Sequence, residues 1–128
     1  MKVAVTGGRS FFARSFVYEV LDELRVTLPI TFLIEGGATG ADRFAQEWAV
    51  ERGIPYLTFE ANWKAAGNAA GHWRNRRMLL VGRPERVIAF PGGTGTADMK
   101  RQARENHIEV IDLKERYDLK RATIEATA

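Results

Sequence analysis

The sequence contains no cysteine among its 128 residues. That absence removes disulfide staples, thiolate metal sites, iron–sulfur ligation and a catalytic cysteine together, and it is compatible with a reducing compartment. Histidine occurs only twice, so zinc would have to rely on carboxylates, and neither a metal nor another cofactor is expected. With only four prolines, 45% hydrophobic residues and 27% charged residues, the chain sits far from the disordered class. No apolar run approaches the roughly 18–20 residues that a membrane span needs, and Met1-Lys2 leads into a strand-like segment without a signal-peptide pattern. A soluble, cytoplasmic protein without membrane contact is expected. Two common nucleotide fingerprints are also missing: GGATGAD lacks the G-x-G-x-x-G spacing, and no G-x-x-x-x-G-K-[ST] occurs. A dinucleotide oxidoreductase and a P-loop ATPase are therefore disfavoured.

What remains is the profile of one folding unit, since typical domains run to roughly 100–200 residues. The net charge of +3 hides an uneven distribution. Residues 1–63 carry six basic and eight acidic side chains, residues 64–104 carry nine and two, and residues 105–128 carry four and six. A middle segment at +7 points to a localised anion site, with a solvated basic helix face as the plainer reading.

Val3-Ala4-Val5 reads as a strand that stops at Thr6-Gly7-Gly8, and helical spacing follows at Phe12, Phe16, Val20, Leu21 and Leu24. The unit recurs with a strand from Ile30 to Ile34, a glycine turn from Glu35 to Gly40 and a helix from Ala41 to Arg52, closed by Gly53. Tyr56 to Phe59 reads as a third strand, Ala61 to Gly71 as a long polar connection and Trp73 to Val81 as a helix. A fourth strand from Arg86 to Phe90, a third glycine turn from Pro91 to Thr96, a helix from Ala97 to Asn106 and a fifth strand from Glu109 to Leu113 complete the series. Near-continuous apolar strands joined by helices predict a Rossmann-like, doubly wound α/β fold with a mostly parallel five-stranded sheet and helices on both faces. Residues 1–113 form the predicted domain. Residues 114–128 read as a polar tail with a short helix and little core to contribute.

Each glycine cluster falls at the carboxyl end of a predicted strand, and in an open parallel sheet those ends share one edge. Ligands of such sheets bind outside that edge, where helix N-termini direct unpaired N–H groups at an anion. Glycine permits positive φ and lets a phosphate oxygen approach the backbone with no Cβ in the way. Tight βα turns alone would also explain any one of the clusters, but three together favour a phosphate site.

The stretches TGGRSF (Thr6 to Phe11), EGGATGADRFAQEWA (Glu35 to Ala49), NWKAAGNAAGHWRNRRML (Asn62 to Leu79) and VIAFPGGTGTADM (Val87 to Met99) closely resemble the YspA/YpsA-related branch of the SLOG superfamily, over about residues 2–112. The resemblance implies a Rossmann-type domain that binds a nucleotide or nucleotide-derived ligand, as a sensor or carrier. Relatives include the LOG phosphoribohydrolases, which cut the N-glycosidic bond of cytokinin nucleotides, and the DNA-binding DprA domain. By that resemblance, Pro91, Gly92, Gly93, Thr94, Gly95 and Thr96 correspond to the LOG phosphate loop PGGxGT, and Gly36, Gly37 and Gly40 to the other glycine-rich loop. His72-x-Arg74 with Met78 falls on the LOG stretch H-x-R-K-x-x-M, whose arginine is catalytic there. The LOG pattern PGGxGTxxE ends in a glutamate implicated in catalysis, and Met99 stands at that position here.

Cleaving a ribosyl bond needs a carboxylate near the anomeric carbon or ribose hydroxyls, so Glu35, Asp42 and Asp98 are the carboxylate candidates beside Arg74 if the protein is a nucleotide N-glycosidase. Asp42 lies three residues after Thr39, a spacing that suits a helix cap. Gly7, Gly8 and Arg9 of the first turn join Arg74 as candidate phosphate contacts, because an arginine can grip phosphate with two parallel hydrogen bonds. Arg76 and Arg77 read as a solvated face. Trp63 and Trp73 suit base stacking or packing, and His72 reads either as part of the motif or as a surface imidazole. A homodimer paired through the helix carrying Phe11, Phe12 and Phe16 is an open expectation. Nucleic acid is the least favoured partner, because aromatic and basic residues interleave too sparsely for a single-strand platform.

Overall fold

The computed structural model describes residues 1–127. Five parallel strands run as β1 (Lys2–Thr6), β2 (Phe32–Glu35), β3 (Tyr56–Thr58), β4 (Arg86–Ala89) and β5 (Glu109–Asp112), in the spatial order β3-β2-β1-β4-β5. The chain therefore builds outward from β1 in one direction and then crosses to its other side at β4. That reversal is the topological switch point, where the loops leaving two adjacent strands diverge and open a crevice.

Side chains alternate across the sheet. Val3, Val5, Leu33 and Ile88 face one layer formed by α1 (Arg14–Thr27) and α2 (Ala41–Glu51), which bury Phe16, Val17, Val20 and Leu21, and Ala45, Trp48 and Ala49 respectively. Ala4, Ile34 and Val87 face the opposite layer, where α4 (Ala70–Leu80) and α5 (Thr94–Glu105) contribute Met78, Leu79, Met99 and Ala103. Because both faces are covered, the central strands are apolar throughout, and the fold is the doubly wound α/β arrangement expected.

Several elements differ from the sequence reading. Helix α1 begins at Arg14, so Phe12 lies before it and is exposed. The connection after β3 contains the four-residue α3 (Trp63–Ala66), with Asn62 Oδ1 accepting from Ala65 N–H at 3.1 Å, followed by a 3-10 turn over Gly67–Ala69. Helix α4 starts at Ala70, three residues before Trp73. Helix α5 starts at Thr94, so three residues of the third glycine turn belong to its first turn. Glycine is a poor helix former, but helical φ/ψ remain open to it, and at an N-terminus its N–H lacks an intrahelical partner in any case.

The segment after Leu113 forms α6 (Lys114–Thr127), a full fourteen residues. Its Tyr117 packs edge-on against Phe11 and Phe16, with ring centroids 4.9 and 5.0 Å apart, and Arg116 pairs with Glu23 of α1 at 2.7 Å. No helix among the described residues is long and apolar enough to cross a membrane.

Candidate functional site

The three glycine turns meet at the switch point. Gly8 joins them: its N–H donates to the Pro91 carbonyl at 2.8 Å, and its own carbonyl accepts from Ala41 N–H at 3.3 Å. The fit depends on missing side chains. A Cβ at Gly7 would sit 2.5 Å from that of Ala41, and one at Gly40 would sit 2.2 Å from the Gly8 carbonyl oxygen. Gly40 also holds φ at +77°, a conformation that disfavours any L side chain.

These turns and α4 enclose a cavity of about 820 Å³. On one wall lie Gly7, Gly8 and Arg9 from the turn after β1, with Gly36, Gly37 and Ala38 from the turn after β2. The opposite wall is Gly93, Thr94, Gly95 and Thr96, the cap and first turn of α5. A Cβ at Gly93 or Gly95 would meet nothing within 4 Å, so this helix end faces open space. The far end is lined by Trp63, Asn68 and Gly71.

Arg74 enters from α4 and is held in place. Its Nη1 donates to the Gly36 carbonyl at 2.6 Å, while its Nε donates to Asn75 Oδ1 at 3.0 Å. Gly36 must be bare here, since a Cβ would stand 2.4 Å from Arg74 Nη1. Asn75, only 2% exposed, in turn donates to the Gly95 carbonyl at 3.1 Å and to Asp98 Oδ2 at 3.0 Å. The same carboxylate contacts His72 Nδ1 at 2.9 Å and accepts from Arg101 Nη2 at 2.6 Å. Gln102 directs its amide nitrogen at Asp98 Oδ2 and the His72 carbonyl, at 2.8 and 3.2 Å. With those amide hydrogens engaged, network logic makes His72 Nδ1–H the donor to Asp98. His72 is thus an oriented cavity residue rather than a plain surface imidazole.

Three carboxyls near the site have different environments. Glu35 is 1% exposed and does not line the cavity; Thr58 Oγ1 and Gly37 N–H donate to it, the latter at 3.0 Å. Burial pushes its carboxyl upward despite those bonds. Asp98 does line the cavity, but its four hydrogen-bond donors overcome burial and hold it down at about 2. Asp42 is 5% exposed, lines the cavity and accepts from Ala38 N–H at 3.2 Å; burial pushes it up to about 7. The capping expectation for Asp42 is corrected: Gly40 is the N-cap of α2, Thr39 Oγ1 donates to the Arg9 carbonyl, and Asp42 secures the preceding loop.

Of the residues singled out from sequence, the cavity wall gathers Arg9, Arg74 and Asp98 with most of the glycine-turn positions. Gly40, Pro91 and Gly92 stand behind that wall and shape it: a Cβ at Gly92 would meet Thr96 Oγ1 at 2.1 Å and Gly8 N at 2.7 Å. Met99 is fully buried between α5 and the sheet, whereas its neighbour Asp98 faces the cavity, as the 100° step per helical residue requires. Sequence reasoning missed Asn75, which is set among arginines that read as a solvated helix face and carries no pattern that marks it as buried. Among the described residues no cluster of three or more His, Asp or Glu side chains is arranged to hold a metal ion.

A Rossmann-like α/β domain whose switch-point cavity is walled by glycine turns and a bare helix N-terminus is the class that these features define. Residues 1–65 match the YspA, cpYpsA-related SLOG family, and the chain belongs to that family. It is also similar to the Gene 61 protein of Mycobacterium phage D29, with 35% identity over 120 residues, covering 87% of this chain and 94% of the phage protein. SLOG membership suggests a nucleotide-related role.

Proposed function

We propose that the protein binds a nucleotide or nucleotide-derived ligand as a sensor or carrier, with a phosphate seated on the first turn of α5. The observation that carries this reading is the convergence of Thr94, Gly95 and Thr96 with Arg9 and Arg74 on one cavity. The first N–H groups of an α-helix have no intrahelical acceptor, and the helix dipole places partial positive charge at the same end. Arg74 is already aligned by Gly36 and Asn75, so little side-chain freedom is lost on binding. The base then lies toward Trp63, Asn68 and Gly71, and Asp42 and Glu60 supply polar groups for a ribose.

Binding is favoured over bond cleavage. Asp98 is too strongly stabilised as a carboxylate to serve as a proton donor, Glu35 is turned from the cavity toward Thr58 and Gly37, and Asp42, although burial pushes it up to about 7, is tied to the Ala38 N–H of the preceding loop. A thermal-shift screen with mononucleotides, cyclic nucleotides, ADP-ribose and NAD tests the proposal. A true ligand at one hundred times its dissociation constant stabilises the fold by about 2.7 kcal/mol, and Arg74→Ala should remove that gain. Free base should not accumulate from any nucleotide. Turnover that disappears in Glu35→Gln would instead establish the N-glycosidase reading.

A further inference from the structure

The main cavity has a neighbour. A cleft of about 550 Å³, lined by Phe12, Tyr117 and Arg121, shares Gly8, Arg9 and Gly93 with it. The ridge between the two is bare at Gly93, where open space lies in place of a Cβ. Each space falls within the roughly 300–1,000 Å³ of a small-molecule site, and together they exceed what one mononucleotide needs.

The ridge also carries an uncommitted cation. Arg9 lines both spaces, and its guanidinium makes no hydrogen bond or ion pair among the described residues. Its main chain, by contrast, is fixed, since the Arg9 carbonyl accepts from Thr39 Oγ1 at 2.8 Å. With its donors free, the planar guanidinium can grip a phosphate lying on the ridge with two parallel hydrogen bonds. Beyond the ridge, Phe12 is 83% exposed although Phe11 beside it is packed against Tyr117 and Phe90. A phenyl ring left in solvent at a cleft mouth offers a flat apolar face, and Arg121, paired with Glu125 at 3.5 Å and set over the Tyr117 ring, lines the same cleft.

Resting on the nucleotide-binding reading above, we infer that the ligand is two-headed: two ring-bearing groups joined by a diphosphate, with the bridge over Gly93 and Arg9. One ring occupies the main cavity. The other stacks on Phe12 in the cleft walled by Tyr117 and Arg121.

The full chain is first screened by calorimetry against the four common nucleoside 5′-monophosphates to select the preferred base. That monophosphate is then compared with the nucleoside diphosphate-ribose and the symmetrical dinucleoside diphosphate of the same base. The dinucleoside diphosphate is expected to bind at least tenfold more tightly than the monophosphate and more tightly than the diphosphate-ribose. Phe12→Ala should erase most of that advantage while leaving monophosphate affinity within about twofold, and Arg121→Ala should weaken the two-ringed compound alone. Both side chains are exposed, so the variants should retain the wild-type unfolding midpoint. Equal affinities for the mono- and dinucleoside compounds, or a Phe12→Ala variant that keeps the full advantage, overturn the two-headed inference and leave mononucleotide binding intact. Absence of binding to every compound overturns both readings.

Discussion

Asp42 shows how burial turns an ordinary side chain into a pH-sensitive one. Its carboxyl, normally near 3.8, is raised to about 7 by desolvation, with Ala38 N–H and the Arg74 charge opposing the shift. Between those values the unfolded chain has released a proton that the folded protein keeps, so stability falls as pH rises from about 4 to about 7 and then levels off. Asp42→Asn removes this dependence. Denaturant titrations should show the variant similar to wild type near pH 4 and more stable at pH 8, with an upper limit of about 4 kcal/mol from three units at 1.36 kcal/mol each. Asp98 has the opposite sign: its depressed value contributes stability that is present above about 4 and lost as pH falls toward about 2. Asn75→Ala is expected to cost about 1–3 kcal/mol, because it strands Arg74 Nε and removes a donor from Asp98. It should also weaken nucleotide affinity, which calorimetry would register.

The glycine turns divide by what surrounds each position. At Gly40 the positive φ and the 2.2 Å approach to the Gly8 carbonyl leave no room for a methyl group. Gly40→Ala should therefore lose at least about 1–3 kcal/mol, read as a lower unfolding midpoint, and should displace Arg9 from the rim. Gly95 sits in the first turn of α5 with open space before it. Gly95→Ala should match or exceed wild-type stability, since alanine is the better helix former by up to about 1 kcal/mol, yet it should weaken phosphate binding by narrowing the approach. Two glycines of similar sequence context thus give opposite stability outcomes. Were Gly95→Ala to bind every nucleotide as well as wild type, the phosphate would not lie on this helix end.

Across the whole molecule, the excess positive charge of residues 64–104 is partly answered from the C-terminal segment. Arg86 pairs with Glu109 at 3.0 Å, Lys100 with Asp112 at 3.0 Å and Arg101 with Glu105 at 3.1 Å. These exposed pairs contribute little stability singly, and Arg9 and Arg74 line the cavity without a carboxylate partner among the described residues. Helix α6 also closes the aromatic cluster of Phe11, Phe16 and Tyr117. Tyr117→Ala should lower stability by about 2 kcal/mol or more in chemical denaturation, and should widen the cleft beside Phe12.

The succession of strands and helices along the chain followed from local signals, whereas the spatial strand order did not. Apolar β-branched runs at Val3, Ile34 and Val87 alternate with helical spacing, and a glycine turn after each of the three strands marks the carboxyl edge of the sheet. Arg74 was legible through its resemblance to a motif. The partners of those residues were not, because burial depends on what a distant segment places opposite. Nothing near Asn75 in sequence announces Asp98 and Gly95, and nothing near Glu35 announces Thr58, whose hydroxyl draws that carboxylate away from the cavity. By itself, then, the amino-acid order determined which turns would be bare backbone at the edge of a parallel sheet, since φ/ψ freedom and hydrophobic period are local properties. Only the tertiary structure decided which charges face the cavity, because desolvation and hydrogen bonding are set by neighbours that the chain brings together across distances of twenty to forty residues.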